Sequence, residues 1–402
     1  MNIYNKFLVN IGLFALLIGC GKQNNVNPEI LVSDNKSYFV AEKYEEFSNL
    51  YSYDFDTRKL ELILSRPASG DAYVYQKMTD KNILAGIYLT ERFKGKPSRV
   101  TFFQADAKMS GVEHAAFPEN VYNLILANDS LVGIGYANAE IIAVSPALDK
   151  VHLASTKLSL QNILLPNNVE LNNTAAHLLT ANGKVYVLTI GSYLDINIKP
   201  YLLELSSDLK TIIKQTEIPN CFNPANQVKV IDSSKFVLNC NPYTSNQSSI
   251  TNLIYVDVSG NNLLIKELLQ KDKNDINDQV KQFQIGGISA DKNAIFITER
   301  KKTAEFLWEK VEASYWYNLD NPSQINLNDN TRKQFVNNLA GNVVYNYRKK
   351  KYLFNCVKDS ATSTCLKGKA ALSDNMQGTQ SMTVDFNVPG VSEIKFPIPI
   401  YP

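Results

Sequence analysis

A polar turn followed at once by a run of strand formers occurs seven times in this chain, and no other feature restricts its folding as much. Residues 33–41 read SDNKSYFVA, 79–87 TDKNILAGI, 128–135 NDSLVGIG and 181–189 ANGKVYVLT. Residues 232–240 read DSSKFVLNC, 289–298 SADKNAIFIT and 348–356 RKKKYLFNC. Neighbouring copies start roughly 46 to 59 residues apart, a period at which each repeat is one supersecondary unit packed on the next. Asp, Asn, Ser and Gly supply the turn chemistry, and the β-branched and aromatic residues after them favour extended chain.

Around each cue the pattern predicts short strands joined by polar turns. In the first repeat these are residues 30–33, 38–41, 50–55 and 60–64; in the second, 73–78, 83–89 and 99–104. The third offers 121–127, 131–136, 140–144 and 151–154, and the fourth 176–179, 185–190, 201–205 and 211–215. The fifth offers 228–231, 236–238, 253–258 and 263–269, and the sixth 283–287, 294–298, 315–319 and 325–327. The seventh offers 343–347, 352–355, 370–372 and 382–386. A meander of four antiparallel strands is the unit of a β-propeller blade. The expected fold is therefore all-β, a seven-bladed β-propeller of four-stranded antiparallel blades over residues 30–388. The longer spacing around residues 271–284 leaves six or eight blades open. A pair of β-sandwiches would not repeat one turn-strand cue seven times. Residues 389–402, with four prolines counted from 388 to 402, read as an extended Pro-rich tail that either covers an edge or runs free.

Composition narrows the partners. Apolar residues make up 45% and charged residues 20% of the chain, enough for a packed core. A net charge of +2 lacks the basic excess of a nucleic-acid groove, so no nucleic-acid partner is expected. Gly86, Gly133, Gly135, Gly286 and Gly287 fall in or beside strands, where glycine means close packing or a bulge and not a phosphate loop.

The N-terminus carries an address. Residues 1–6 hold one cation, residues 7–19 form an apolar run of secretory length, and the run ends at Leu17-Ile18-Gly19-Cys20. A stretch this short is a signal peptide rather than a membrane-spanning helix. Its ending resembles the lipobox of bacterial lipoproteins. That resemblance implies cleavage after residue 19 and acylation of Cys20 with palmitate-type chains, followed by a lipidated tether over residues 20–29. Several chains at about 0.8 kcal/mol per buried CH₂ make a stable anchor. Gly21, rather than Asp, follows the cysteine, which by analogy with Gram-negative lipoprotein sorting implies the outer membrane, facing the periplasm or the cell surface. The plain alternative is an ordinary secretory signal that ends by chance at a cysteine.

Beyond Cys20 four cysteines remain, Cys221, Cys240, Cys356 and Cys365, an even number that suits disulfides in an exported protein. Of the three connectivities, nearness in sequence favours Cys221–Cys240 and Cys356–Cys365. Residues 235–240 (KFVLNC) and 351–356 (KYLFNC) match position by position, so both second strands end in a cysteine at the same rim. No CxxC spacing is present, and metal binding is the weaker reading.

From the repeats onward the chain resembles a seven-bladed propeller lipoprotein in plan, without Trp-Asp, kelch, tryptophan-docking or Asp-box signatures. The outer-membrane assembly machinery includes a propeller lipoprotein, and the shared plan implies envelope protein–protein work. Long segments at 90–98, 191–200, 241–252, 300–313 and 357–369 fall on one face, the tight turns on the other. Long loops on a rigid scaffold are where function concentrates; tolerated insertion is the alternative. The most distinctive is 299–317, ERKKTAEFLWEKVEASYWY, with a short helix expected over 304–313. Trp308, Tyr315, Trp316 and Tyr317, with Lys301 and Lys302, form the candidate binding surface. Against it stands the reading that Trp316 alternates into the blade core and Trp308 caps its own loop.

No catalytic residue, cofactor or metal is expected. His114, His152 and His177 fall at dissimilar blade positions, without metal-ligand or triad spacing. Asp54 and Asp56 beside Arg58 suit a solvated turn or a salt link better than an acid/base pair. The basic turn at 348–351 reads as solvated first and as a contact for anionic lipid second. The expected function is a lipid-anchored, non-catalytic scaffold that binds an envelope protein or glycan through its long-loop face. Its rival is a propeller hydrolase of the lactonase type.

Overall fold

Each repeat cue marks the start of a hairpin, and in six of seven cases it joins the first two strands of a four-stranded sheet. The computed structural model describes residues 36–43, 47–67, 72–78, 83–88, 99–104, 112–116, 121–127, 130–135, 140–144, 155–160, 164–165, 169–170, 175–189, 200–219, 221, 224–240, 252–268, 281–301, 310–321, 326–327, 329–347, 349–386 and 393–397. Among them lie seven four-stranded antiparallel sheets and one two-stranded hairpin. Blade 2 consists of β4 (Ala72–Met78), β5 (Ile83–Tyr88), β6 (Arg99–Gln104) and β7 (Val112–Ala116). Blade 3 consists of β8 (Val121–Ala127), β9 (Ser130–Gly135), β10 (Glu140–Val144) and β11 (Ser155–Ser159). The small hairpin of β12 (Leu164–Leu165) and β13 (Val169–Glu170) precedes blade 4.

Blade 4 runs β14 (Ala175–Ala181), β15 (Lys184–Thr189), β16 (Tyr201–Leu205) and β17 (Ile212–Glu217). Blade 5 runs β18 (Pro224–Val230), β19 (Lys235–Cys240), β20 (Asn252–Asp257) and β21 (Leu264–Glu267). Blade 6 has β22 (Lys281–Ile288), β23 (Ala294–Lys301), β24 (Lys310–Asn318) and β25 (Lys333–Phe335). Blade 7 has β26 (Leu339–Asn346), β27 (Lys351–Val357), β28 (Lys369–Ser373) and β29 (Ser381–Asp385). First strands pack on first strands in succession, β4 on β8, β8 on β14, β14 on β18, β18 on β22 and β22 on β26. They are the inner strands, and the protein is a β-propeller.

Blade 1 is assembled from both ends of the chain. β1 (Lys36–Lys43), β2 (Phe47–Asp54) and β3 (Leu60–Pro67) supply three strands, and β30 (Glu393–Pro397) pairs antiparallel with β1 as the fourth. β30 lies against β26 and β27 of blade 7, in the place an inner strand occupies. The sequence reading put residues 30–33 in that place and left the tail over 389–402 either to cover an edge or to run free; β30 lies within that tail and covers the edge of β1. Residues 30–33 lie outside the described set.

Both faces of the second strands of blades 4 to 7 are buried, because these sheets are covered on both sides by other blades. Phe236 and Leu238 of β19 enter the core shared with blade 4, while Val237 between them enters the core shared with blade 6. Ile295 and Ile297 of β23 face blade 5, and Phe296 faces blade 7. Strands buried on both faces read as continuous apolar runs, which is why FVLN, AIFIT and YLFN stand out in the sequence.

The tight turns use one device repeatedly. Ser289 Oγ donates to Asp291 Oδ1 (2.6 Å), which also accepts the Asn293 N–H (3.1 Å), with Lys292 at φ 63°. Ser206 and Asp208 repeat it at 2.6 Å, with the Lys210 N–H at 3.1 Å and Leu209 at φ 63°. Short polar side chains satisfy the turn's own backbone, which is the physical content of the polar cue.

Both disulfides form as the neighbour pairing predicts: Cys221–Cys240 joins the entry of blade 5 to the end of β19, and Cys356–Cys365 closes a hairpin after β27. Closing loops of 19 and 9 residues stabilises a chain by about 2–4 kcal/mol each. The second hairpin also covers an edge, since the Val311 N–H of β24 donates to the Ser363 carbonyl (2.7 Å). β25 pairs with β24 only at Tyr315–Tyr317, so this contact protects backbone that would otherwise be a bare strand edge.

Several expected elements shift. The fourth strand of blade 3 is Ser155–Ser159 and not 151–154, and that of blade 6 is Lys333–Phe335 and not 325–327. Residues 310–313, placed in a helix by the sequence reading, are the start of β24; residues 304–309 lie outside the described set.

Candidate functional site

The aromatic run nominated as a binding surface is core. Tyr315 and Tyr317 are fully buried among residues of blades 5 and 6, and Trp316 points the other way into the core with blade 7. Three consecutive strand residues therefore fill two interblade cores by simple alternation. The Trp316 ring lies 5.1 Å from Phe296 and 5.4 Å from Tyr352, and its Nε1–H donates to the Met376 carbonyl (2.7 Å). Tyr317 donates to the Asn326 carbonyl (2.7 Å). Tyr315 donates to Glu299 Oε1 (2.8 Å), and Lys333 sits 4.8 Å above its ring. Burial, then the Glu299 carboxylate, pushes the Tyr315 phenol far above its usual range. Lys301 ends β23 and lies 4.0 Å from Glu312. Trp308, Lys302 and the lipidation candidate Cys20 lie outside the described residues.

The other sequence candidates resolve into structure. Asp54 Oδ1 accepts the N–H groups of Asp56 (3.0 Å) and Thr57 (2.8 Å), a turn cap beside Arg58 at φ 56°. His177 is buried on β14, while the side chains of His114 and His152 are outside the described set. In the basic turn Lys351 pairs with Asp374. No cluster of metal-ligating side chains occurs among the described residues.

A polar seam at the long-loop end of blades 5 to 7 is what the inner strands offer instead. Asn239, Thr298 and Asn355 each sit at the same place near the end of a second strand, one position before Cys240, Glu299 and Cys356. The Asn239 amide donates to the Phe283 carbonyl of blade 6. Thr298 Oγ1 accepts the Gly341 N–H of blade 7 (3.0 Å), and Asn355 Oδ1 accepts the Asn342 N–H (2.6 Å). Gly341 has φ 77°, and a Cβ there would collide with the Asn355 amide, so the bulge at this point requires glycine.

Next to these residues Arg300 Nε donates to Gln284 Oε1 (2.9 Å), and both side chains are partly exposed. Gln282 pairs across the strands with Arg300 and shares its face. Phe283 and Ile285, which alternate with the two glutamines, are buried in the opposite direction. Gln282, Gln284 and Arg300 thus gather three partly exposed hydrogen-bonding side chains on one face of blade 6. A planar guanidinium among amides matches carboxylates, phosphates and vicinal hydroxyls. Glu299 beside it faces the other way, toward Tyr315. Sequence reasoning missed this group, although a usable signal existed: polar residues at fixed places within otherwise apolar inner and second strands.

Comparison with known proteins gives a fold likeness only. No protein-family model matches the chain, and no curated protein matches it. A solved structure from Bacteroides fragilis, described as a candidate 6-phosphogluconolactonase, is similar with a TM-score of 0.55 at 12% identity, over 91% of this chain and 97% of that one. A protein from Lactobacillus plantarum is similar at 0.54 and 9% identity, over 90% and 98%. A second candidate 6-phosphogluconolactonase, from Bacteroides uniformis, is similar at 0.53 and 10% identity, over 88% and 98%.

Proposed function

We propose that this is an exported, lipid-anchored β-propeller that binds a small polyhydroxylated or anionic ligand at the polar seam of blades 6 and 7. The observation that carries the reading is Arg300 set by Gln284, with Gln282 on the same face, at the long-loop end of the inner strands. It replaces the aromatic docking surface, whose members Tyr315, Trp316 and Tyr317 are buried. Polar side chains converging on a small patch of a rigid scaffold fix the orientation of a ligand more than they supply affinity.

Two disulfides fit an oxidising compartment, and Leu17-Ile18-Gly19-Cys20 supports anchoring at Cys20 in the outer membrane. Cys20→Ala should move the protein from the membrane to the soluble fraction in cells that export it; unchanged membrane retention would remove the anchor from the account.

The binding test is calorimetric titration of a soluble form starting after residue 20, with gluconate and 6-phosphogluconate as probes. Arg300→Met should weaken the tighter of the two by roughly 10-fold or more, the cost of losing a charge-assisted hydrogen bond. Binding unaltered by the substitution, or absent for both probes, would defeat the seam as the site.

A second reading, a propeller hydrolase of the lactonase type, takes its support from the two Bacteroides proteins described as candidate 6-phosphogluconolactonases. Hydrolysis would need a general base beside the ligand, and the side chains that share a face with Arg300 at the seam are Gln282, Gln284 and Thr298. Turnover of 6-phosphogluconolactone that Arg300→Met abolishes would favour the hydrolase over the binder.

A further inference from the structure

At the opposite, tight-turn end of the inner strands, one position breaks the pattern of its counterparts. Lys229 of β18 pairs across the strands with Val237, the residue of blade 5 that faces blade 6. The corresponding pairs are Leu179 with Tyr186 in blade 4, Gly287 with Phe296 in blade 6, and Val344 with Leu353 in blade 7. Three blades place an apolar residue or glycine there, and blade 5 places a cation.

The cation stands at the inner end of an apolar row. Val237 and Tyr255 follow it across the sheet on the same face, and both belong to the core between blades 5 and 6. The Lys229 side chain makes no hydrogen bond or ion pair with another described residue, and the nearest acid in its hairpin, Asp232, is taken by Lys235 (3.1 Å) and the Ser234 N–H (2.8 Å). The inner strand of blade 6 lies against β18, and at the matching height it has Gly286 and Gly287, which offer backbone and no side chain. An ammonium held against an apolar row, partly shielded from water and without a partner, is less well solvated than a free one. Burial pulls the Lys229 ammonium down to about 8.

We propose that Lys229, opposite the Gly286–Gly287 backbone, is an anion-binding site at the tight-turn end of the inner strands between blades 5 and 6. Its ligand group is a small oxyanion, a phosphate or a carboxylate. The side chain remains partly exposed, so an anion can reach it without unfolding the blade. The site is separate from the Arg300 seam, which lies at the long-loop end, and does not depend on it.

The test is thermal unfolding of the soluble, oxidised protein in inorganic phosphate against chloride at matched ionic strength, with acetate as a second arm. A concentration ten times the dissociation constant should raise the melting temperature by about 2 °C or more. The comparison is made in an Arg300→Met background, which removes the guanidinium of the other anion site. There Lys229→Met, which keeps the length and removes the charge, should abolish the rise, and Lys229→Arg should keep it. A rise with phosphate alone, acetate alone or both supports the site and separates the two ligand classes. A rise that survives in the Arg300→Met, Lys229→Met protein, or no rise with either anion in Arg300→Met, overturns the proposal.

Discussion

A chain ending at residue 387 should lose about 4 kcal/mol of stability and gain a tendency to associate. The segment removed contains Glu393–Pro397, whose backbone pairs with β1 at Phe39, Val40, Ala41 and Glu42. These four residue pairs correspond to roughly four ladder hydrogen bonds at about 1 kcal/mol each. The loss also uncovers the inner edge of β1, and an uncovered strand edge is a template for another chain. Blade 7 loses a neighbour too, because β26 and β27 lie against the closing strand. Thermal melting and size-exclusion chromatography on the truncated protein check both effects. A monomer with unchanged melting would mean that β30 does not close the ring.

Gly286→Val should be nearly as damaging, at about 3 kcal/mol, the upper end of the cost of overpacking. A Cβ on Gly286 would run into the Gly341 carbonyl oxygen and come within 2.7 Å of Phe296 Cδ1. The neighbouring Gly287 meets the Val343 carbonyl in the same way, with Val343 Cγ1 at 2.8 Å. The obstacle is largely backbone, so it cannot rotate away, and the inner strands of blades 6 and 7 would have to separate. Gly260 provides the control, since its nearest heavy atom to an added Cβ is an ordinary 3.5 Å away. Gly260→Ala should stay within about 0.5 kcal/mol. Denaturant titration of both variants decides the matter; equal midpoints would show that the inner strands do not approach as described.

The parts of the fold that could be read from the sequence are those where local chemistry and burial agree. Second strands such as Lys235–Cys240 and Lys351–Val357 are apolar on both faces and follow a turn with its own hydrogen-bonding residues, so the cue and the strand announce each other. The match between KFVLNC and KYLFNC extended that legibility to the disulfides, because it placed two cysteines at one rim. Outer strands were harder. Ser155–Ser159 (STKLS) and Lys333–Phe335 (KQF) carry no apolar run, Lys157–Ser159 and Lys333–Phe335 are partly or fully solvated, and in both cases a nearby stretch holds more aliphatic residues. The closing strand had no local signal at all, since its partner β1 is more than 350 residues earlier in the chain.

The site was less legible than the fold. Tyr315, Trp316 and Tyr317 attracted attention as clustered aromatics, but a strand between two interblade cores needs large side chains on both faces. Gln282, Gln284 and Arg300 come together only through the pairing of β22 with β23. No spacing within one segment encodes that meeting. Lys229 is similar, because its oddity shows only when the register identifies Leu179, Gly287 and Val344 as its counterparts.

Hydrogen–deuterium exchange, with and without 6-phosphogluconate or gluconate, tests the location of the ligand site most directly. The account predicts slower exchange concentrated at residues 282–284, 298–300 and 341–342, and no such slowing in Arg300→Met. Slowing confined to other blades, or the same protection in the variant, would contradict it.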